Sequence, residues 1–344
     1  MKVLLTGGAG YIGSHIHVAL AASGHESVIL DDFSNSSPAV VDRLAALTGA
    51  PVALERGDVG DRAFVRGVLE RHGIEAVIHL AASKSVGQSV ADPLSYYRNN
   101  VGGLIGLLEA MGDAQCQTLV FSSSATVYGF ADRMPLDEDT PLGPINPYGN
   151  TKIVAEHLLR DLRAADSRWR ATALRYFNPV GAHPSGTIGE DPSGEPQNLV
   201  PYISQVAVGR RPALRIYGED YPTPDGTGVR DYIHVMDLAE GHVAALDYLV
   251  RGGQEFAFNL GTGQGYSVRE VVAAFERACG KPIPCQVVPR RPGDSAISYA
   301  DPARARTELG WTARRGLDLM CADVWRWQSQ NPSGFEPGPR KEDR

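Results

Sequence analysis

A tyrosine and a lysine four residues apart form the pair in this sequence with the clearest capacity for proton transfer. Tyr148 and Lys152 follow Pro147, a residue type favoured at the first position of a helix. Residues four apart share one face of a helix, so an ammonium is expected beside the phenol. A phenol with a pKa of ~10 needs about 4 kcal/mol of preferential phenolate stabilisation to act as a base near neutral pH. A positive charge nearby supplies stabilisation of that sign.

The chain has five lysines in 344 residues, so a tyrosine four positions before one of them is an uncommon coincidence. The competing interpretation is a surface pair on a helix. Upstream, the serine run that ends at Ser124 closes an apolar strand. A hydroxyl there could hydrogen-bond the reacting oxygen of a substrate and relay its proton to Tyr148, although serine-rich turns are also common.

A glycine-rich turn near the N-terminus predicts a binding site for a dinucleotide. Gly7, Gly10 and Gly13 follow the apolar run Lys2–Thr6 and precede an apolar segment with helical spacing. The first glycine permits a tight turn, the second lets the backbone approach a pyrophosphate, and the third lets helix and strand pack closely. The helix N-terminus then faces the phosphates with its partial positive charge.

An acidic residue at the end of the second predicted strand indicates which dinucleotide binds. Asp31 lies about 20 residues beyond the glycines, where a carboxylate hydrogen-bonds the adenosine ribose and repels a 2′-phosphate. The residues from Asp32 to Ser37 include no cation, so we expect NAD rather than NADP. The ends of further strands should contribute residues to the same cofactor site. These are Asp58 and Val59 near the adenine, Leu80, Ala81, Ala82 and Lys84 along the cofactor, and Asn99 at the opening of a helix.

The elements that must position these residues alternate between strand and helix. Strand-like runs cover Lys2–Thr6, Ser27–Asp31, Pro51–Glu55, Ala76–Leu80 and Thr118–Ser122. Helical spacing covers Ile12–Ser23, Asp61–His72 and Pro93–Met111. This alternation predicts an α/β fold, a Rossmann-type doubly wound parallel sheet with helices on both faces.

The composition and the pattern of predicted elements change after Tyr176, which predicts a smaller, mixed α/β substrate-binding domain. Asn178–Gln197 and Glu219–Gly228 have the composition of loops, and later helices are expected over Tyr232–Leu249, Ser267–Ala278 and Leu317–Gln328. We therefore predict an NAD-binding domain at residues 1–176 and a second domain mainly at 177–330. Segments around 232–260 could return to the first domain, and 331–344 should form a flexible tail.

Composition and charge limit the class of protein. An apolar fraction of 43% and a charged fraction of 21% are ordinary for a globular protein, and a formal net charge of −7 argues against a nucleic-acid partner. The four cysteines are scattered, with no zinc-like spacing, and favour reduced thiols. We expect no metal site, no signal peptide, no membrane span and a cytoplasmic location.

Thr6–Gly13, Asp31, Ser124 and the Tyr148–Lys152 pair together resemble the extended short-chain dehydrogenase/reductases. More narrowly, the chain is similar over nearly its whole length to the UDP-glucose 4-epimerases. The segments that carry this resemblance are Phe121–Gly129 (FSSSATVYG), Leu174–Pro184 (LRYFNPVGAHP), Val200–Arg211 (VPYISQVAVGRR) and Asp225–Leu238 (DGTGVRDYIHVMDL). The resemblance implies an NAD-dependent isomerase of carbohydrate and galactose metabolism that acts on a UDP-sugar as a homodimer. Helices matching Pro93–Met111 and Tyr148–Leu162 would join the two subunits.

The resemblance also implies roles for individual residues. Tyr148 would be the acid and base, Lys152 its electrostatic partner and a ligand of the cofactor ribose, and Ser124 the hydroxyl on the substrate. The residues expected around the UDP-sugar are Ser124, Tyr148, Asn178, Asn198, Leu199, Arg230, Arg291, Asp294 and Ser298. The residues expected around NAD are Gly7, Gly10, Tyr11, Ile12, Gly13, Asp31, Asp32, Asn35, Asp58, Val59, Leu80, Ala81, Ala82, Lys84, Asn99, Ser122, Tyr148, Lys152 and Phe177. Guanidinium groups at Arg230 and Arg291 also suit a diphosphate on chemical grounds alone.

One position departs from part of the family. Members restricted to glucose and galactose often have a tyrosine where this chain has Ser298, which would wall off C2 of the sugar. The smaller serine leads to the hypothesis that UDP-GlcNAc and UDP-GalNAc are also substrates, unless another side chain refills the space.

Four other interpretations fit these residues less well. A nucleotide-sugar 4,6-dehydratase needs an acid–base pair just after the strand-end serine, where this chain has Ala125 and Thr126. A 4-reductase typically consumes NADPH, which Asp31 disfavours. A non-catalytic NAD-sensing regulator usually lacks the tyrosine or the lysine, and a bare interaction module would leave the glycine loop unexplained.

Overall fold

The computed structural model describes residues 1–131, 133–291 and 293–335. Within them, seven parallel strands form the main sheet, in the spatial order β10-β6-β5-β4-β1-β2-β3. These strands are β1 (Lys2–Thr6), β2 (Glu26–Asp31), β3 (Ala53–Arg56), β4 (Ala76–His79), β5 (Thr118–Ser124), β6 (Arg170–Tyr176) and β10 (Ala257–Leu260). The predicted doubly wound parallel sheet is confirmed.

Helices cover both faces of this sheet. They are α1 (Tyr11–Ala22), α2 (Ala39–Thr48), α3 (Arg62–His72), α4 (Val86–Ala91), α5 (Pro93–Tyr96), α6 (Gly103–Asp113), α7 (Pro147–Ala165) and α9 (Val235–Val250). Apolar side chains of α1 and α9 pack on one face, and those of α3, α6 and α7 pack on the other. Because the strand order reverses between β1 and β4, the carboxyl ends of these two strands flank the crevice in which ligands of such sheets bind.

A smaller mixed layer is built from the remaining elements: β7 (Asn178–Val180), α8 (Leu199–Ala207), β8 (Leu214–Tyr217), β9 (Val229–His234), β11 (Gly265–Ser267), α10 (Val268–Cys279), β12 (Cys285–Val288), β13 (Ile297–Ser298) and α11 (Leu317–Gln330). Strand β9 pairs with β7, β11 and β13, and β8 pairs with β12. Helices α8, α10 and α11 share one apolar cluster with these strands. The division of the chain at residue 176 stays a prediction, and β10 joins the main sheet beside β6.

Several expected boundaries were wrong. The helix expected over Tyr232–Leu249 begins only at Val235, because the preceding residues pair as β9 with its neighbours. The same pairing turns Asn178–Val180, expected to be a loop, into β7. Strand β5 continues through Ser124, since its pairing with β6 extends to Tyr176. Long-range strand pairing overrides local pattern in each case.

The helix expected over Pro93–Met111 is interrupted by a π-helical stretch, Tyr97–Gly102. The flexible tail expected at 331–344 stays a prediction, and its first residues, 331–335, contact the rest of the protein. Phe335 is buried against Trp327, and its backbone N–H donates to Asp191. The rest of that predicted tail lies outside the described residues. Across the described ranges, no helix combines the length and apolarity needed to cross a bilayer.

Candidate active site

The glycine-rich turn lies at the carboxyl end of β1. Gly7 adopts a φ of +68°, and a Cβ atom there would come within 2.9 Å of the backbone nitrogen of Ala81. A Cβ atom at Gly13 would come within 2.5 Å of the Gly7 carbonyl oxygen. Glycine is therefore required at both positions by the close approach of backbone segments.

Helix α1 begins with unpaired backbone donors. Gly10 offers no capping side chain, and the first intrahelical hydrogen bond is donated by Ser14 to Gly10 at 2.9 Å. The backbone N–H groups of Tyr11, Ile12 and Gly13 therefore precede the helical ladder and suit an anion. The Tyr11 hydroxyl donates to the carbonyl of Gly181 at 2.8 Å, so the side chain of Tyr11 is occupied by the protein itself.

Asp31 lies buried at the end of β2 and organises the turn. Its carboxylate accepts hydrogen bonds from the backbone of Ala9 (2.9 Å) and Phe33 (2.9 Å) and from the Ser36 hydroxyl (2.7 Å). A carboxylate offers about four acceptor positions, so one remains for a ribose hydroxyl. Arg56, on the neighbouring strand β3, lies 5.6 Å from the ring of Phe33, a cation near Asp31 that local inspection of the sequence missed.

The remaining residues predicted to contact the cofactor differ in how exposed they are and in their hydrogen-bond partners. Asp32 and Asn35 are exposed, and Asp32 accepts a hydrogen bond from Ser34. Exposed Asp58 accepts from the backbone of Gly60, and Val59 is buried beside it. Leu80, Ala81 and Ala82 follow β4 directly and are partly buried.

Asn99 was expected to open a helix but lies inside the π-helical stretch, one residue before buried Asn100. Asn100 anchors the segment after β4, since its amide contacts the backbone of Ser83 and the hydroxyl of Thr151. Exposed Asn99 donates to the Ser83 hydroxyl at 3.2 Å. The π geometry therefore turns two consecutive asparagines toward the same segment.

Helix α7 presents the proton-transfer pair beside the end of β5. The Asn146 side chain caps the helix by accepting from Gly149 at 2.9 Å, and Pro147 occupies the first turn. The Lys152 nitrogen lies 5.8 Å from the centre of the Tyr148 ring and donates to the Ser122 carbonyl at 2.6 Å. Ser124, at the end of β5, lies near enough to Tyr148 to lower the pKa of its phenol against the larger effect of burial.

The electrostatics of this pair differ from what the spacing alone suggested. Burial raises the pKa of Tyr148 to about 12, and the hydrogen bond with Ser124 opposes that rise. Burial likewise lowers the pKa of Lys152 to about 8, opposed by the charge of Glu156. Among the protein's own groups, desolvation therefore outweighs the ammonium, and further positive charge must stabilise a phenolate here.

The residues expected around a UDP-sugar come from separate strands and loops. Arg230 on β9 lies 3.4 Å from a carboxylate oxygen of Asp294, and Ser298 on β13 is its register partner. The Arg291 guanidinium stacks 3.8 Å from the ring centre of Tyr217. The structure therefore brings Arg230 together with Asp294 and Ser298, which follow it in the chain by 64 and 68 residues.

Other predicted substrate and cofactor contacts lie on neighbouring segments. Asn178 begins β7, and Phe177 before it is buried with Val127 and Tyr128. Asn198 precedes α8, which Leu199 begins, and the Asn198 amide lies 3.5 Å from Glu190. Lys84 lies 3.7 Å from the same carboxylate oxygen. Glu190, absent from the predicted site, thus links a predicted cofactor contact with a predicted substrate contact.

These features fit a dinucleotide with a free 2′-hydroxyl. The glycines allow the backbone of the turn to pack tightly at the end of β1, the first turn of α1 supplies backbone donors, and Asp31 keeps an acceptor position.

Two further residues of this region were missed by sequence reasoning. Glu156 lies four positions after Lys152 on α7, and Arg175 lies on β6; both are buried, and they form an ion pair at 2.7 Å. The repeated four-residue spacing of Tyr148, Lys152 and Glu156 is a signal that could have identified the first of them.

Comparison with known proteins shows which family the chain resembles over nearly its whole length. A family model described as GDP-mannose 4,6 dehydratase matches residues 4–324. The UDP-glucose 4-epimerase of Bacillus subtilis (strain 168) is 56% identical over 336 residues, which cover 98% of this chain and 99% of that protein.

Two solved structures are similar to this chain over nearly all of its length. The UDP-glucose-4-epimerase of Stenotrophomonas maltophila, with bound NAD and formylated UDP-arabinopyranose, has a TM-score of 0.95 and 51% identity, and covers 96% of this chain and 99% of that one. The UDP-glucose 4-epimerase of Bifidobacterium longum, in complex with NAD+ and UDP, has a TM-score of 0.93 and 49% identity, and covers 97% and 100%.

Proposed function

The chain belongs to the UDP-glucose 4-epimerase family, and we propose on that basis that it inverts C4 of a UDP-linked hexose, interconverting UDP-glucose and UDP-galactose with NAD as its cofactor. The observation that carries this proposal is the arrangement of Tyr148, Lys152 and Ser124 at the end of β5. This arrangement lies on the same sheet as a glycine turn suited to a dinucleotide, and oxidation of a sugar carbon needs both a proton acceptor and a hydride acceptor.

The protein's part in the reaction is to move a proton and to hold the substrate. When bound, NAD supplies the acceptor and donor of hydride for C4. Tyr148 takes the proton of the C4 hydroxyl as that carbon is oxidised and returns it when the carbon is reduced. Ser124 hydrogen-bonds the same oxygen, and Lys152 favours the phenolate through its charge. Because the phenol's pKa is raised by burial, proton removal depends on positive charge assembled around it.

Inversion requires that C4 present both of its faces at one site. The UDP portion must therefore be held firmly while the 4-keto sugar turns over. We propose that the guanidinium groups of Arg230 and Arg291 bind the diphosphate; Arg291 lies 3.5 Å from the carbonyl oxygen of Gln197, just before Asn198 and the start of α8. Charge-assisted contacts to the diphosphate can retain the ligand without fixing the sugar.

A 4,6-dehydratase deserves consideration because the matching family model bears that description. Such an enzyme needs side chains that transfer protons immediately after the strand-end serine. Here Ala125 and Thr126 form a short 3-10 turn at that point. Alanine has no titratable group and threonine does not ionise near neutral pH, so this site supports epimerisation and not dehydration.

The small side chain of Ser298 supports a second substrate pair. It lies partly buried on β13 beside Arg230, at the position where a tyrosine would occupy the space around C2 of the sugar. We propose that the space accommodates an acetamido group, so that UDP-GlcNAc and UDP-GalNAc are also interconverted.

A homodimer is supported by apolar side chains on adjoining helices. Val90, Leu94, Tyr97, Ile105 and Val154 lie on α4, α5, the π-helical stretch, α6 and α7 and are exposed; Leu94 is 73% exposed. An apolar surface of this kind on a globular protein favours association. We propose that two copies pair through these helices, which also include the segment bearing Tyr148 and Lys152.

The proposed activity is tested by incubating purified protein with UDP-galactose without added NAD and quantifying UDP-glucose. Because NAD returns to its starting state in each cycle, retained cofactor should suffice for turnover. The expected result is an equilibrium mixture of the two sugars. No conversion, with and without added NAD, would refute the proposed activity.

A further inference from the structure

Three consecutive serines of β5 each contact a different functional side chain of α7. The Ser122 carbonyl accepts from Lys152 at 2.6 Å, and the Ser123 hydroxyl donates to Glu156 at 2.7 Å. Ser124 lies beside Tyr148 and lowers the pKa of its phenol against the larger effect of burial. The strand end and the helix are therefore joined at three points spaced four residues apart on the helix.

The middle contact belongs to a fully buried ion pair. Both oxygens of Glu156 accept from Arg175, at 3.0 Å from Nε and 2.7 Å from a terminal nitrogen. Arg175 also donates to the Tyr128 hydroxyl at 3.0 Å and to the Glu138 carbonyl at 3.1 Å. Two parallel charge-assisted bonds fix both the position and the orientation of the carboxylate.

We propose that Glu156, held by Arg175, is a positioning residue for the epimerase reaction: it keeps the Lys152 ammonium charged and aligned beside Tyr148. The inference rests on the proposed function and names a residue outside the substrate and cofactor contacts. Its basis is the fixed placement of a negative charge one helical turn beyond the amine, in a region without solvent to screen it.

The surroundings of Lys152 leave this role to Glu156. The titratable and charged side chains around the amine are Tyr148, Glu156 and Arg160 on α7, His79 on β4, and Arg175 and Tyr176 on β6. Burial and the Lys152 charge lower the pKa of His79 to about 3, so the imidazole is neutral. Burial raises the pKa of Tyr176, which is neutral too. Among these described side chains, Glu156 provides the negative charge at neutral pH.

The first test compares the pH dependence of turnover in the wild type and in Glu156→Gln. Loss of the carboxylate should lower the pKa of Lys152 by about one pH unit. The decline in kcat on the alkaline side should then begin about one pH unit lower, which is about a five-fold loss at a pH equal to the wild-type pKa and approaches about ten-fold well above it. KM for UDP-galactose should change less than about two-fold, because Glu156 does not contact the substrate.

The second test measures the amine itself and needs no turnover. The chain contains five lysines, so protein labelled with 13C-lysine gives few side-chain signals, and Lys152→Met identifies the relevant one. The Lys152 signal should titrate at lower pH in Glu156→Gln than in the wild type. Glu156→Asp, which withdraws the charge by one methylene group, should give a smaller shift in the same direction, and it replaces Glu156→Gln if that variant does not fold.

The matched control is Asp237→Asn. Asp237 is also fully buried and pairs with Arg315, but it lies on α9, on the other face of the sheet. This variant should lose thermal stability as Glu156→Gln does, yet keep the wild-type pH profile and Lys152 titration. An unshifted Lys152 signal in both Glu156 variants would overturn the inference. A shifted Lys152 signal in the Glu156 variants, combined with no epimerase activity in the wild type, would support the electrostatic link and refute the proposed function.

Discussion

The ammonium nitrogen of Lys152 lies 5.8 Å from the centre of the Tyr148 ring, one turn along the same helix. The amine is fixed by its hydrogen bond to the Ser122 carbonyl, and the phenol lies beside Ser124, which lowers its pKa against the larger effect of burial. Both side chains therefore lie at the end of β5, which places the phenol that acts as acid and base close to the ammonium charge. The protein alone leaves the phenol with a raised pKa, so its basicity depends on what binds beside it.

Removing the phenol hydroxyl should abolish turnover while leaving the fold intact. Tyr148→Phe loses a general acid and base, a group that contributes about 100-fold to 10,000-fold to rate. We expect kcat for UDP-galactose to fall at least about 100-fold. Bound NAD, measured by its release on denaturation, should be unchanged. Tyr248→Phe is the control, since that buried tyrosine lies on α9 and its hydroxyl accepts from the backbone of Gln254 and Glu255. Comparable losses in both variants would contradict a specific role for Tyr148.

Buried neutral histidines should make the protein sensitive to acid. Burial lowers the pKa of His17 to about 4 from an ordinary 6.5. The unfolded chain therefore takes up a proton as pH falls below about 6.5 while the folded protein does not, so stability is lost between these values. This side chain should cost about 2 kcal/mol of unfolding free energy between pH 7 and pH 5.

Urea unfolding of the wild type and of His17→Asn at the two pH values measures this contribution. The variant should lose less stability on acidification, even if it is less stable at pH 7 because its contact with Ser27 is altered. Equal losses in the two proteins would show that His17 is protonated in the folded state.

Enlarging Ser298 should narrow the substrate range. Ser298→Tyr places a ring in the space proposed for the acetamido group, so turnover of UDP-GlcNAc should fall by at least about ten-fold through steric exclusion. Turnover of UDP-galactose should stay within about three-fold of the wild type. The measurement is kcat/KM for both substrates in both proteins. Absence of detectable UDP-GlcNAc turnover by the wild type would end the hypothesis.

A charge on the exposed apolar helices should dissociate the proposed dimer. Leu94→Glu places a carboxylate at the centre of a surface that would be buried on association, which disfavours pairing. Sedimentation should give twice 36.9 kDa for the wild type and 36.9 kDa for the variant. Leu319→Glu, on α11 and outside these helices, is the control and should stay dimeric. A monomeric wild type would refute the dimer.

Local patterns predicted the parts of the site that depend on local geometry. The glycine turn and the Tyr148–Lys152 pair each lie within one short segment, where steric demands and helical period decide the outcome. The alternation of strands and helices likewise predicted the main sheet. The boundaries that failed, such as Tyr232–His234, are those set by pairing with distant strands.

Contacts between segments that are distant in the chain could not be predicted from local sequence patterns. Arg230 meets Asp294 because β9 pairs with β13, and Glu156 meets Arg175 because α7 packs across β6. Arg56 lies near Phe33 for a similar reason, since β2 pairs with β3. Each of these contacts follows from tertiary packing, and no spacing rule within one segment encodes it.

The central claim is that C4 is oxidised and reduced again within one site, with Tyr148 holding the hydroxyl proton meanwhile. The most direct measurement follows UDP-galactose carrying deuterium at C4 through conversion in ordinary water, with mass spectrometry and NMR of the UDP-glucose formed. Deuterium should be retained at C4, since hydrogen leaves and returns to the same carbon without reaching solvent. Replacement of the label by solvent hydrogen would contradict it.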